Sequence, residues 1–133
     1  MSSQMKTIRV VAALVERGGR YLITQRRETA VLPELWDFPG GRVEDGETDE
    51  GALAREVAER LGASVDVGQL ISFVNHPYEK YAVDLYLYEC ELLSDDLHCR
   101  AVKAYAWVTS KEMESYSFTP VDEASMSKLL GEG

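Results

Sequence analysis

Apolar positions recur every fourth residue from Leu53 through Val57 to Leu61, and every second residue from Val83 through Leu85 to Leu87. The first spacing is that of one helix face and the second that of one strand face. The fourfold spacing predicts an amphipathic helix with a buried Leu53, Val57 and Leu61 stripe. Thr48 stands before it as an N-cap, Asp49 and Glu50 suit its positive first turn, and Gly62 lies where such a helix stops. Upstream, Ile8 to Glu16 is apolar and β-branched, and Gly18-Gly19 turns it into Tyr21 to Thr24, the pattern of a hairpin. Residues 27–35 read as a loop, followed by a short extended Trp36-Asp37-Phe38. Beyond the helix, Val65 to Val74 reads as a strand and Asn75-His76-Pro77 as a turn. Tyr81 to Cys90 alternates, with Val83, Leu85 and Leu87 on one face and Asp84, Tyr86 and Tyr88 on the other. Val102 to Val108 is a further strand, Ser110 is placed to cap a short helical turn, and Thr119-Pro120 opens a last helix that runs through Leu130. Strands, helix, strands, helix is the order of an α/β protein whose mixed sheet is packed between helices.

No linker, repeat or low-complexity segment interrupts this pattern, so one domain over residues 1–133 is expected. A chain of that length buries roughly two-thirds of its unfolded surface. Fourteen basic and 23 acidic residues give a net charge of −9, which argues against a nucleic-acid polymer as partner. A small anionic nucleotide is still admissible where local arginines or a metal override the general field. Cys90 and Cys99 have no metal-binding spacing and read as free thiols of a reducing compartment. No apolar run approaches membrane-spanning length, and residues 1–6 lack the apolar stretch of a signal peptide. A cytoplasmic protein with no membrane partner is expected.

The chemistry concentrates between Gly41 and Ala63. Residues three apart on a helix lie about 60° apart around its axis, so Glu56 and Glu59 share one face, with Glu47 arriving from the preceding loop. Taken alone, such a pair beside Arg60 is an ordinary solvated helix face. Behind Phe38-Pro39-Gly40-Gly41 it acquires the oxygen donors that a hard cation takes, and a glycine lets the Gly40 carbonyl approach such an ion.

With its fixed gaps, Gly41, Glu47 and the run Arg55-Glu56-Val57-Ala58-Glu59-Arg60-Leu61-Gly62-Ala63 resemble the Nudix box, G-x5-E-x7-R-E-U-x-E-E-x-G-U with U aliphatic. The resemblance extends over essentially the whole chain and implies the Nudix α/β/α sandwich. Ile23 to Arg27 and Trp36 to Gly41 are similar to the MutT-type nucleoside triphosphate pyrophosphohydrolases, including their cytidine-triphosphate branch. That similarity implies Mg²⁺ (or Mn²⁺) held by the Gly40 carbonyl, Glu56 and Glu59, and an Arg55–Glu47 salt bridge that holds the helix to the loop. It implies Glu56 as general base and Glu59 as the firmer ligand, or the reverse. Arg26 would touch the nucleotide, Phe38 would line the base pocket, and Asp122 would read the base, by the hydrogen bonds a carboxylate accepts from amino groups. Asp122 has an equally ready role as the acid of the helix start after Thr119. Arg26 has one as a strand-end charge, and Phe38 as plain core.

The implied reaction is hydrolysis of a nucleoside triphosphate, oxidised or cytidine-type, to the monophosphate and pyrophosphate. Two alternatives stand beside it: a Nudix hydrolase of ADP-ribose or a dinucleoside polyphosphate, and a degenerate Nudix module that binds without turnover. A monomer or a homodimer is expected. Two departures bear on these choices. Arg60 stands where the box has a second consecutive Glu. A positive charge about 5 Å from a divalent ion is repelled by on the order of 7 kcal/mol at an effective dielectric near 20. Outward or phosphate-facing placements of Arg60 are therefore expected over a pair with Glu56. Downstream, residues 97–103 carry no carboxylate where relatives supply another ligand. Asp95 and Asp96 would substitute only if that loop folds back.

Overall fold

The computed structural model describes residues 6–130. Its strands are β1 (Lys6–Arg17), β2 (Arg20–Gln25), β3 (Trp36–Asp37), β4 (Gly40–Arg42), β5 (Val65–Pro77), β6 (Tyr81–Leu92) and β7 (Ala104–Val108), and its helices α1 (Asp49–Leu61) and α2 (Pro120–Leu130). Alternation along β1 and β6 builds one core on each face of the sheet. Val11, Ala13 and Val15 of β1 join Cys90 and Leu92 of β6 beneath Leu53, Val57 and Leu61 of α1. Ala12 joins Val83, Leu85 and Leu87 on the opposite face, where Val121, Met126 and Leu129 of α2 pack. The strand order is β3-β2-β1-β6-β5, with β4 paired to β1 and β7 to β2. β1 and β6 run parallel from Lys6↔Tyr81 to Val15↔Cys90, and every other pairing is antiparallel. The mixed sheet between helices is thus the expected α/β/α architecture. Among the described residues no helix is long and apolar enough to cross a membrane.

The β1–β2 hairpin closes on Gly18 (φ 57°) and Gly19 (φ 81°), the positive angles that a tight two-residue turn needs at both central positions. The caps of α1 lie where the sequence puts them. Thr48 accepts from the Gly51 N–H at 3.0 Å, and Gly62, at φ 63°, donates its N–H to the Ala58 carbonyl.

Four expectations are corrected. Asn75-His76-Pro77 is not a turn: it continues β5 to the pair Pro77↔Ala82, and the chain reverses through Tyr78, Glu79 and Lys80. β5 lies at the edge of the sheet, where a proline's missing N–H leaves no ladder bond unmade. Ser110 does not cap the short helical turn at Glu112–Ser115. Thr109 does so reciprocally: its hydroxyl accepts from the Glu112 N–H, and its own N–H donates to the Glu112 carboxylate. The strand expected from Val102 begins at Ala104, because Val102 turns into the core under α1. Finally, Gly40 to Arg42 is a strand rather than loop, held against Val10, Val11 and Ala12.

Leu53 is fully buried where α1 meets the sheet. Leu53→Ala is expected to lower the unfolding free energy by about 2–5 kcal/mol in urea titration. A loss below about 1 kcal/mol would show that α1 is not anchored through this stripe.

Candidate active site

β4 and α1 meet without intervening side chains. A Cβ on Gly40 would lie 2.0 Å from the Val11 carbonyl oxygen, and one on Gly41 would lie 2.2 Å from the carboxyl carbon of Glu56. Gly40 is therefore required by the close approach of β1, and a side chain at Gly41 would displace the Glu56 carboxylate.

Arg55 organises what surrounds this contact. Its Nε and Nη2 donate to the two oxygens of Glu47 at 2.7 and 2.9 Å, a bidentate pair. Nη2 also donates to the Arg42 carbonyl, and Nη1 to Glu56 Oε2 at 3.0 Å and Glu59 Oε1 at 3.3 Å. One guanidinium thus ties the loop, β4 and the face of α1 together. Arg55 and the backbone N–H of Glu44 hold the Glu47 carboxyl down at about 2, so it is ionised across any ordinary pH.

Arg60 does not lie outward. Its Nε donates to Glu56 Oε1 at 2.7 Å, and its side chain is 26% exposed. The outward placement is corrected because Glu56, itself buried, has two oxygens to satisfy and Arg55 reaches only one. Glu59 is freer, with 60% of its side chain exposed and one long contact. Among the described residues no three acidic, histidine or cysteine side chains already converge as a metal cage.

Two clefts flank this cluster. A smaller one, of about 290 Å³, is lined by Arg26, Arg27, Arg60, Glu56 and Glu59. The larger, of about 450 Å³, runs between the sheet and the start of α2, past Gly40, Gly41, Phe38, Tyr78, Tyr81 and Val83. Arg26, Asp37 and Asp122 also line it. Phe38 is both core, 3% exposed, and cleft wall. Arg26 is held in place, its Nε on the Val31 carbonyl at 2.7 Å and its Nη1 3.4 Å from Asp37.

Asp122 is the acid of the α2 start, and it also lines the larger cleft. With Thr119 it forms the capping pair of α2, and its Oδ1 accepts from the Phe38 N–H at 3.2 Å. Burial, and then the charge of Asp37, push its carboxyl up to about 7. Burial also raises Asp37, against the hydroxyl of Thr24 and the charge of Arg26.

Sequence reasoning missed three lining residues. Asp37 carried a signal, a lone carboxylate within the apolar Trp36-Asp37-Phe38, which must find partners if buried. Tyr78 and Tyr81 stack at 5.1 Å, and the Tyr78 hydroxyl accepts from the Val121 N–H of α2. That placement follows from the misassigned turn and had no local signal. Asp95 does not fold back toward Glu56, since it pairs with Arg17.

Between about pH 4 and 7 the folded protein holds a proton on Asp122 that the unfolded chain, at an ordinary 3.8, has released. Stability from this group is full below pH 4 and is lost as pH rises to about 7. Asp122→Asn keeps a carbonyl for Phe38 and an amide for Thr119 but does not titrate. The stability of the wild type relative to this variant, from urea midpoints, is expected to fall across that window. Parallel profiles would contradict the assignment.

Similarity to known proteins agrees with this geometry. A model of the NUDIX domain matches residues 10–128. The CTP pyrophosphohydrolase of Escherichia coli K12 is 32% identical over 118 residues, 89% of this chain and 87% of the relative. A putative 8-oxo-dGTP diphosphatase 2 of Mycobacterium tuberculosis is 34% identical over 123 residues, 90% of this chain and 86% of the relative. The crystal structure of the MutT protein from Methanosarcina mazei Go1 superposes with a TM-score of 0.87 at 23% identity, covering 98% of both chains. The solution structure of the E. coli ORF135 protein gives 0.80 at 29%, covering 96% of this chain and 91% of the other. With the family model spanning most of its length and the glycine–carboxylate contact in place, the chain belongs to the Nudix family.

Proposed function

We propose that this chain hydrolyses a nucleoside triphosphate, cytidine-type or oxidised, to the nucleoside monophosphate and pyrophosphate. The observation that carries the proposal is the junction of the two clefts: a base-sized cleft with buried carboxyls opens onto a pocket where arginines face Glu56 and Glu59. Relatives named as a CTP pyrophosphohydrolase and as 8-oxo-dGTP diphosphatases support the substrate class.

In this account the base lies in the larger cleft against Phe38 and the Tyr78–Tyr81 stack. Asp122, its carboxyl pushed up to about 7 by burial, would meet a base edge while its oxygens also accept from the Phe38 N–H and the Thr119 hydroxyl. Arg26, fixed by Val31 and Asp37, turns its charge toward the nucleotide. The donor set suits a hard divalent cation: the Gly40 carbonyl, Glu56 and Glu59 would hold Mg²⁺ or Mn²⁺, with the Gly41 contact keeping the Glu56 carboxylate free of any intervening side chain. When bound, the ion neutralises phosphate charge and polarises the reacting phosphorus.

The chain's own groups do the rest. Arg55 fixes Glu56 through Oε2, while Oε1 carries the Arg60 Nε. With Arg60 moved off it, Oε1 would take a proton from water as the water oxygen bonds to phosphorus. The bridging P–O bond breaks, and its electron pair leaves with the departing phosphate group. Glu59, the more exposed carboxylate, supplies charge beside the phosphates.

The test is pyrophosphate release from a panel of unmodified and oxidised (d)NTPs, in Mg²⁺ and then Mn²⁺, for the wild type, Glu56→Gln and Glu59→Gln. Turnover by the wild type with at least one base is expected, and a loss of roughly 10²–10⁴-fold in Glu56→Gln. Full activity in both variants would overturn the site. No turnover of any triphosphate by folded protein would move the assignment to ADP-ribose, to a dinucleoside polyphosphate, or to a module that binds without hydrolysis.

A further inference from the structure

Arg55 and Arg60 stand on the same helix and both hold Glu56, yet their donors are used differently. Every nitrogen of the Arg55 guanidinium is bonded to protein. Arg60 uses Nε alone, on Glu56 Oε1, and its Nη1 and Nη2 donate to no other group among the described residues. Those two nitrogens carry four N–H donors in a planar fork that matches phosphate oxygens. Arg60 and Arg26 are the two residues that line both clefts, so Arg60 stands where a nucleotide seated in the larger one must pass its phosphates toward Glu56 and Glu59. Arg26 spends Nε on the Val31 carbonyl and Nη1 on Asp37, so fewer of its donors remain than of those on Arg60. In a protein of net charge −9, a fixed cation at that junction changes what a polyanion meets on entry.

We propose that Arg60 is a phosphate-binding residue that exchanges partners: it rests on Glu56 Oε1 and moves to a phosphate oxygen when the nucleotide arrives, which frees Oε1 to accept the proton. The proposal rests on the assignment of these clefts to a nucleotide. The exchange trades one charge-assisted hydrogen bond for another, so it needs no new charge to be buried. It also gives a role to the residue by which this chain departs from its family pattern. Where another carboxylate would bring a ligand for a cation, Arg60 brings the positive charge itself.

Binding in EDTA isolates this function from any metal. Calorimetric titration with inorganic tripolyphosphate and with CTP is to be run on the wild type, Arg60→Gln, Glu56→Gln, the double variant, and Arg20→Gln. Arg20 pairs with Glu112, lines neither cleft, and so reports the bare effect of one lost charge. The wild type is expected to bind tripolyphosphate without metal, Arg60→Gln at least tenfold more weakly, and Arg20→Gln within about twofold of the wild type. Glu56→Gln, which releases Arg60 from its resting partner, is expected to bind more tightly, and that gain should vanish in the double variant. The proposal is overturned if Arg60→Gln binds like the wild type, if Arg20→Gln loses as much, if the gain in Glu56→Gln persists without Arg60, or if the wild type does not bind in EDTA. Should Arg60→Gln fail to fold, Arg60→Lys, which keeps the charge but loses the planar fork, takes its place in the single and double variants: weaker binding than the wild type is expected, and wild-type binding would overturn the proposal. Pyrophosphate release by a wild type that fails these tests would leave the nucleotide assignment standing. Absence of both binding and turnover, with and without Mg²⁺, would remove the two together.

Discussion

The guanidinium of Arg55 sits where three pieces of chain, the loop, β4 and α1, would otherwise repel or drift apart. Glu47 on the loop and Glu56 and Glu59 on α1 are like charges drawn into one small volume, and Arg42 contributes a carbonyl dipole. Five hydrogen bonds to one planar cation hold them at fixed positions, with Glu47 gripped bidentately. The glycines at 40 and 41 matter for the same reason. A side chain at Gly41 would occupy the space of the Glu56 carboxylate, and one at Gly40 would push β4 off β1. Carboxylate placement, strand pairing and helix docking are therefore one constraint seen from three sides.

From that fixed centre the site acquires its asymmetry. On one side Glu56 and Glu59 meet Arg26, Arg27 and Arg60 in a polar pocket. On the other, the cleft between the sheet and α2 is lined mainly by apolar side chains, with Asp37, Asp122, Arg26, Arg42 and Arg60 as its charged ones. Burial raises the proton affinity of both Asp37 and Asp122, and the charge of Asp37 raises that of Asp122 further. Arg26 and Arg60 line both clefts.

Much of this was legible in the residues. The fourfold stripe, its Thr48 cap and its Gly62 stop set α1 almost to the residue, because every determinant of a capped helix is local. The alternation of β6 put Val83, Leu85 and Leu87 in one core and Tyr86 and Tyr88 against the other. What could not be seen depended on contacts distant in sequence. β4 is a strand only because β1 lies beside it, Asn75-His76-Pro77 is strand only because β5 is an edge, and Arg60 turns inward only because Glu56 has an oxygen left to satisfy. Asp122 looked like either a helix acid or a site residue, and the fold makes one carboxylate serve as cap and as cleft wall.

The most direct test of the account is a crystal structure of Glu56→Gln soaked with CTP and Mg²⁺, followed by the best triphosphate of the panel. The account predicts the base between Phe38, Asp122 and the Tyr78–Tyr81 stack, with the phosphates running past Arg60 to Glu59. A nucleotide bound elsewhere on the protein, or seated with its phosphates in the larger cleft and its base at Glu59, would contradict it.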